Sequence, residues 1–428
     1  TTGVQNTHIG GFSGYLMTTG SGNTALGYES LYSNTTADNN TAVGNAALRV
    51  NTTGINNTAV GTSSLTANTT AGNNTAVGSS ALRDTTTGYS NTALGGGSLL
   101  DNTTGYQNTA IGHRSLFENT TAPNNTAVGF ESLKLNTTGQ SNTAVGANAM
   151  RDVSTGSDGV AVGVFALGDG TWTGNTCVAI GNSSLSNATS AYQNVAVGTY
   201  ALQKVTTSNN TTALGHSALK ELTTGVSNTA VGFGVLRSLV TSSANTIVGH
   251  DAGRLITGSD NTGLGCDVLY DCTTGTKNVA IGSGGAGNTS GALANLTTGS
   301  NNVGIGYRAL RDITTANNNT AVGFQSQIER TGGNDNTSFG AYCMNAVATG
   351  DDNVGVGKSC LHDLTSGEHN VGVGLNALFN LETGNQNVAI GRSALDTNVS
   401  GEYNVAVGAF ALDACTVSNN TAVGQQSL

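Results

Sequence analysis

The chain has few charged residues, few aromatic residues and almost no proline. Only 9% of its 428 residues are charged and 5% are aromatic, and Pro123 is the single proline. An ordinary globular domain is about a quarter charged, so this composition argues against a typical globular enzyme. The hydrophobic fraction is 37%, mostly Ala, Val and Leu, which predicts a thin core of small side chains.

Basic residues and long apolar runs are scarce as well. The 15 Lys and Arg residues are outnumbered by 25 Asp and Glu, which gives a net charge of -10, and they form no basic stripe. Nucleic acid is therefore not an expected partner, because phosphate binding needs clustered positive charge. No segment approaches the length of a transmembrane helix, and no signal-peptide pattern is present, so we expect no membrane insertion.

A short tandem repeat dominates the sequence. Its core motif is NTAVG, as at 40–44 and 57–61, and 25 copies occur between Asn6 and the copy that starts at Asn420. Of the 24 steps between copies, 20 are 17 residues long, and the exceptions are 18, 16, 24 and 16 residues. Such a near-constant period is typical of a solenoid.

Each repeat position has a physical interpretation when the motif Asn is numbered column zero. Column four is Gly in all copies, as at Gly44, which indicates a positive φ angle or a close backbone approach. The segment 51–54, NTTG, has the composition of a turn. Stacked coils would place Asn over Asn and Thr over Thr, so we expect ladders of hydrogen bonds along the stack.

Strand alternation leads to a prediction about which side chains face inward. Column three is always apolar, as at Val43, and column one is Thr or Val, so we expect both columns in the core, with Leu48 and its equivalents as a second row. Column two, as at Ala42, would then point outward. Its small size indicates a second copy of the chain packed against it, although turn geometry or repeat duplication would also keep Ala there.

These patterns predict an all-β fold, a parallel β-solenoid (β-roll or β-helix) of about 25 coils with a 17-residue period, forming a homotrimer. Residues 1–428 are expected to be a single repeat solenoid, and 283–301 to contain an insertion loop. Coils stacked about 4.8 Å apart would make a rod of roughly 120 Å. We also expect terminal domains of a longer protein beyond this segment, since open solenoid ends need caps.

The residues that could carry chemistry form no recognisable site. The six Cys include no CxxC pair, so no zinc site is predicted. Cys343 and Cys360 share column seven in adjacent coils, within disulfide range, but their parallel Cβ vectors favour two free thiols. The six His residues align with no nucleophile and carboxylate, so we predict no catalytic residue, no cofactor, no metal and no enzymatic activity.

Two features leave room for binding. Trp172, the only Trp, lies in the 18-residue coil and is a candidate surface residue that could stack on a sugar, although a tolerated insertion is the commoner case. The recurring Thr residues suggest ice binding, which requires a flat exposed Thr array. The expected burial of column one disfavours that role.

The units NTAVGxxALxxNTTGxN resemble repeats of bacteriophage tail-fibre proteins and related bacterial tail-fibre-domain proteins. They are similar, more distantly, to the head repeats of trimeric autotransporter adhesins. The resemblance implies a homotrimer in both cases, and for the tail fibres it implies a C-terminal self-cleaving chaperone, which is not seen here. The 17-residue period departs from the shorter adhesin unit, so the resemblance does not fix the shape of the coil.

We therefore expect the structural shaft of an extracellular or virion fibre, most favourably a phage tail fibre, which presents a distal receptor-binding tip. The alternative is a bacterial surface adhesin or extracellular filament whose own solenoid surface binds. Its partners would be further copies of itself and, through the tip or loops, a host-cell receptor or glycan. A polysaccharide-cleaving spike is weaker still, because no pair of carboxylates recurs.

Overall fold

A computed structural model of the chain describes residues 2–285, 290–329, 331–346 and 348–428. Its regular structure consists of three-residue β-strands, one in each repeat, and none of these described residues is helical. The chain is an all-β parallel solenoid of about 24 turns with a 17-residue period. The predicted all-β parallel solenoid is therefore confirmed, and its association into a homotrimer stays a prediction.

The chain divides into two compact units, Thr1–Thr211 and Thr212–Leu428, and the repeat runs through both. The strands of the first unit are β1 Thr7–Ile9, β2 Thr24–Leu26, β3 Thr41–Val43, β4 Thr58–Val60, β5 Thr75–Val77, β6 Thr92–Leu94, β7 Thr109–Ile111, β8 Thr126–Val128, β9 Thr143–Val145, β10 Val160–Val162, β11 Val178–Ile180 and β12 Val195–Val197. Those of the second unit are β13 Thr212–Leu214, β14 Thr229–Val231, β15 Thr246–Val248, β16 Thr262–Leu264, β17 Val279–Ile281, β18 Val303–Ile305, β19 Thr320–Val322, β20 Thr337–Phe339, β21 Val354–Val356, β22 Val371–Val373, β23 Val388–Ile390, β24 Val405–Val407 and β25 Thr421–Val423.

Within each unit every strand pairs in parallel with the next strand along the chain, and the columns stay in register. Thr41 pairs with Thr58 and Val43 with Val60, so each column becomes a row of like residues. The register survives the irregular steps, because Thr246 pairs with Thr262 across the 16-residue step and Val279 pairs with Val303 across the 24-residue step. Extra or missing residues are therefore absorbed in the turns, and the strands stay aligned.

The interior of each coil is narrow and lined by small side chains. The buried columns are two, seven and eight, represented by Ala42, Ala47 and Leu48, each with no exposed surface. Leu48 adopts a φ of 50°, in the left-handed region that costs an ordinary side chain about 1–2 kcal/mol. Burial of the leucine side chain, about 1.5–3 kcal/mol, offsets this cost in the many coils that have leucine here.

Buried asparagines also line the interior, in column zero of most coils and in column eleven of several coils, most of them in the first unit. In column zero, the backbone N–H of Asn57 donates to Oδ1 of Asn40 at 2.9 Å, and its Nδ2 donates to the carbonyl of Ala71 at 2.9 Å. In column eleven, Nδ2 of Asn68 donates to Oδ1 of Asn51 at 2.7 Å. The predicted asparagine ladders are therefore confirmed, and they satisfy turn backbone groups that the thin core would otherwise leave without partners.

The glycine of column four is required on both of the predicted grounds. Gly44 has a φ of 133°, a conformation that L side chains rarely adopt. A Cβ atom at this position would lie 2.6 Å from the carbonyl oxygen of Gly61 in the next coil. The strand therefore ends at a corner where successive backbones are too close for any side chain.

The predicted insertion at 283–301 is only partly described, since residues 286–289 lie outside the described residues. After them the chain resumes the ordinary path of a coil. Leu293 is fully buried in the position of Leu48, and its N–H donates to the carbonyl of Ala309 at 3.0 Å. The segment from Ala292 to Asn301 therefore belongs to the regular coil.

Candidate functional site

The most extended candidate surface is formed by the strands themselves. In every strand except β1 the middle residue is buried, and the first and third residues point away from the core. Ala93 has no exposed surface, whereas Leu94 is 46% exposed. We call the surface made by the first and third residues of β1–β25 the strand face.

The composition of the strand face is restricted. Its first position is always Thr or Val, and its third position is always Val, Ile, Leu or Phe, in all 25 strands. None of these positions is charged, although charged residues such as Arg114 and Glu131 occur two or three residues beyond the strands. Continuous apolar surface without charge is typical of the core of a protein–protein interface.

The register makes this surface continuous within each unit. In the first unit, twelve strands spaced by about 4.8 Å give a face roughly 53 Å long. The two outward side chains of a strand stand about 7 Å apart, so the face is two side chains wide. Thr occupies the first position without interruption from Thr7 to Thr143, beside an aliphatic row from Ile9 to Val145.

The prediction of which columns face inward is wrong. Columns one and three are partly or well exposed, and column two is buried in every coil except the first, where His8 is exposed. The physical reason is the narrowness of the coil: Leu48 and Ala47 already fill the interior, so only a small residue fits beneath the strand. The residues of column two are therefore small because the interior of the coil is crowded. Their size gives no evidence of a neighbouring chain.

A large buried side chain in one coil is matched by a glycine in column two of the next coil. Ile247 is the one large aliphatic residue in column two, and a Cβ on Gly263 in the next coil would lie 2.9 Å from its Cδ1. In the same way, a Cβ on Gly355 would lie 2.6 Å from Sγ of Cys343. A larger residue in one coil is thus accommodated by glycine in the following coil.

The expectation that Trp172 lies at the surface is wrong, because its side chain has no exposed area. The ring fills space where column zero is Gly159 instead of Asn, and a Cβ on that glycine would lie 2.8 Å from the ring. The indole Nε1–H donates to the carbonyl of Ala191 at 2.8 Å. Asn side chains of column zero normally satisfy this type of carbonyl, but the next coil has Cys177 there, so Trp172 replaces a missing part of the ladder.

The cysteines are all free thiols. Cys343 and Cys360 stack in adjacent coils as expected, both with no exposed area, and a hydrogen bond to Cys360 together with burial raises the pKa of Cys343. Burial likewise raises the pKa of Cys272 to about 12. The thiols of Cys343 and Cys272 are therefore protonated at neutral pH, and burial shields all three cysteines from reagents.

Comparison of the chain with known protein families and with curated proteins gives no match. Among the described residues, no helix has the length and apolar character needed to cross a membrane.

The strand face was missed because alternation identifies two faces of a strand without saying which one is inside. A signal was nevertheless present in the range of side-chain volumes. Column three accepts Val43, Ile111, Leu94 and Phe339, a range that a close-packed interior tolerates poorly, whereas column two stays almost entirely small.

Proposed function

We propose that this chain is the shaft of an extracellular or virion fibre, and that copies of it associate as a homotrimer through the strand face. The observation that carries the proposal is the uncharged, exposed row of Val, Ile and Leu that continues from coil to coil. A monomeric soluble protein rarely leaves a contiguous apolar surface of this kind in contact with water.

Burial of the strand face would contribute favourable free energy to association. Covering a half-exposed valine or leucine removes about 50 Å² of apolar surface, which is worth roughly 1 kcal/mol per coil. Summed over the coils of the first unit, the gain is about 12 kcal/mol per chain before the costs of association are subtracted. The strength of the contact therefore grows with the number of coils.

Symmetry favours a ring of chains. Each unit offers one such face parallel to the direction in which its coils stack, so packing face against face around a shared axis closes the assembly. Three chains per assembly is the number that the resemblance to tail-fibre and adhesin-head repeats implies. In this arrangement the apolar rows meet at the axis, and the polar turns face solvent.

A shaft needs stiffness rather than chemistry, and the coil supplies it. Backbone hydrogen bonds, the asparagines of column zero and a threonine row, in which Oγ1 of Thr52 donates to the carbonyl of Thr69 at 3.0 Å, run along the stack. Bending would stretch several of these rows at once. We propose no catalytic role, and we place the receptor-binding function in a tip outside this chain, with a phage tail fibre as the favoured setting.

A charge placed on the strand face tests the proposal. The substitutions Val43→Asp, Val60→Asp and Val77→Asp put three carboxylates into the proposed interface without touching the core. A matched control is Ile55→Asp, Val226→Asp and Val399→Asp, which are exposed aliphatic positions outside the strands, at 45%, 37% and 42% exposure. Light scattering should give three chains for the native protein and the control, and a lower mass for the strand-face variant with unchanged far-UV circular dichroism. Equal masses for the two variants would mean that the strand face is not part of the interface.

Ice binding is a second candidate, and a specific observation favours it. The nine threonines of the first position from Thr7 to Thr143 are outward-facing, so the objection based on their burial does not hold. The same surface cannot be buried in a trimer and bind ice. Inhibition of ice recrystallisation by the native protein, lost in the strand-face variant, would favour this role over the shaft. Binding of the purified chain to cells or glycans would instead favour the adhesin.

A further inference from the structure

We propose that His250, Cys266 and Asp267 form a binding site for one divalent transition-metal ion, with zinc as the best match. This goes beyond the shaft proposed above, and it departs from the sequence-based expectation of no metal site. The site lies in the second unit, where His250 belongs to the 16-residue coil that starts at Asn245 and the other two residues belong to the next coil. The proposal depends on how the register places these three residues.

The parallel register brings the three side chains together. Thr246 pairs with Thr262, so His250 and Cys266, each four residues further on, occupy column five of adjacent coils. Asp267 follows in column six. A ligand atom from each residue lies within 4.8 Å of the other two. Ligands of a tetrahedral zinc ion stand about 3.5 Å apart, so closure around a metal needs side-chain adjustments of about 1 Å.

The donor set matches the chemistry of zinc. An imidazole nitrogen, a thiolate and a carboxylate oxygen are all common zinc ligands, and three protein ligands leave the fourth position for water. The mixture of a soft sulfur with nitrogen and oxygen disfavours calcium and magnesium, which prefer oxygen alone. Among the described residues this is the one group of three such side chains close enough to share an ion.

The surroundings hold the donors in place. The ring of His250 stacks on Phe233 with centroids 5.2 Å apart and planes 13° from parallel. Its Nδ1 lies 3.6 Å from Oδ2 of Asp251, and a carboxylate beside a ligating histidine is a frequent support of zinc sites. The carboxylate of Asp267 has an oxygen within 4.8 Å of the sulfur of Cys266, which places a negative charge where a cation would bind.

The repeat alone does not account for the cluster. Asp267 is only 1% exposed because the chain that follows the extra residues covers it, and a Cβ on Gly291 would lie 2.6 Å from its carbonyl oxygen. His113 also occupies column five, but the next coil has Phe130 there, so it stacks on a ring and has no thiol beside it. A thiol, an imidazole and a buried carboxylate therefore come together at His250, Cys266 and Asp267, and the thiol is missing beside His113.

Cobalt provides a direct test, because a thiolate bound to Co²⁺ gives a charge-transfer absorption band that free cobalt lacks. The full chain, stripped with a chelator, should show the band on titration with Co²⁺, and dialysis against Zn²⁺ should leave one zinc per chain by elemental analysis. Cys266→Ser should abolish the band, and His250→Ala and Asp267→Asn should weaken binding at least tenfold. The controls Cys415→Ser and His113→Ala, which change the same residue types elsewhere, should bind as the native chain does.

A second measurement avoids reliance on variants that fail to fold. In the native chain, Zn²⁺ should slow alkylation of Cys266 by iodoacetamide at least tenfold, measured by peptide mass spectrometry, and should leave Cys415 unaffected. Absence of the cobalt band in the native chain, or a band that persists in Cys266→Ser, would overturn the proposal. Equal protection of Cys266 and Cys415 by zinc would overturn it as well.

Discussion

The hydrogen bonds of the buried asparagine row allow the free-energy cost of replacing Asn57 to be predicted. Its Oδ1 accepts the backbone N–H of Asn74 at 3.0 Å, and its Nδ2 donates to the carbonyl of Ala71 at 2.9 Å. Asn57→Ala leaves the N–H of Asn74 buried without an acceptor, whereas the carbonyl of Ala71 keeps a second donor, Nδ2 of Asn68, at 3.0 Å. One orphaned donor costs about 1–3 kcal/mol, and the lost hydrogen bonds and small cavity add about 1 kcal/mol.

The loss should be local, because each coil contacts only its neighbours. Hydrogen exchange of the full chain, followed by mass spectrometry, resolves peptides from individual coils. A loss of about 2–4 kcal/mol in opening free energy corresponds to exchange that is about 30- to 1,000-fold faster around Asn57 and Asn74. Asn57→Asp should be at least as damaging, since it removes the Nδ2 donor and buries a charge.

Asn45 provides the matched control because it is exposed in column five and its side chain lies outside the buried rows. Asn45→Ala should change the opening free energy by less than about 0.5 kcal/mol. If Asn57→Ala and Asn45→Ala exchange at the same rate over residues 57–74, the asparagine row does not hold the coils together and the reasoning is refuted.

Three further predictions concern the interior. Gly355→Ala should destabilise the chain to urea by about 1–3 kcal/mol, because the added Cβ meets Sγ of Cys343 at 2.6 Å, and Cys343→Ala should restore most of the loss. The free energy of unfolding should fall as pH rises from about 9 to 12, because burial raises the pKa of Cys272 to about 12 and its protonated form stabilises the fold below that range. At about pH 10.5 this thiol should have lowered the free energy of unfolding by roughly 2 kcal/mol relative to its value below pH 9. The substitution Cys272→Ala should abolish this part of the pH dependence. The fluorescence of Trp172 should resist acrylamide quenching until the chain unfolds, since the ring is fully buried.

Each of these predictions has a clear contrary result. Gly285→Ala is the control for the glycine substitution, because a Cβ there meets nothing within 4 Å, and equal losses at the two glycines would contradict the packing argument. An unfolding free energy whose pH dependence above about pH 9 is the same with and without Cys272 would refute the assigned burial of the thiol. If acrylamide quenches the native tryptophan as readily as free tryptophan, Trp172 is exposed and its assigned burial is wrong.

Much of the fold could be predicted from the sequence because its repeat fixes the register. The strands around Ala59, the corner at Gly44 and the row through Asn57 all follow from the recurrence of one residue type in one column. The inward and outward sides of the strand did not follow, because alternation is symmetrical between them. The decision depended on how much space Leu48 leaves inside the coil, which is a property of the folded cross-section.

The candidate sites could be predicted only in part, for a related reason. His250 and Cys266 share a column, so alignment of the repeats alone would have placed them together. The burial of Asp267 depends on the path of the chain near Gly291, where the period is broken and the repeat gives no guidance. Trp172 was placed wrongly because its burial compensates for the missing asparagine at Gly159, a relation that only the stacked coils reveal.

The most direct test of the central claim is the mass of the native chain in solution, measured by light scattering. The account predicts particles of three chains of 42.7 kDa each, which dissociate when the strand face is charged. A native chain that is monomeric in solution would contradict association through the strand face.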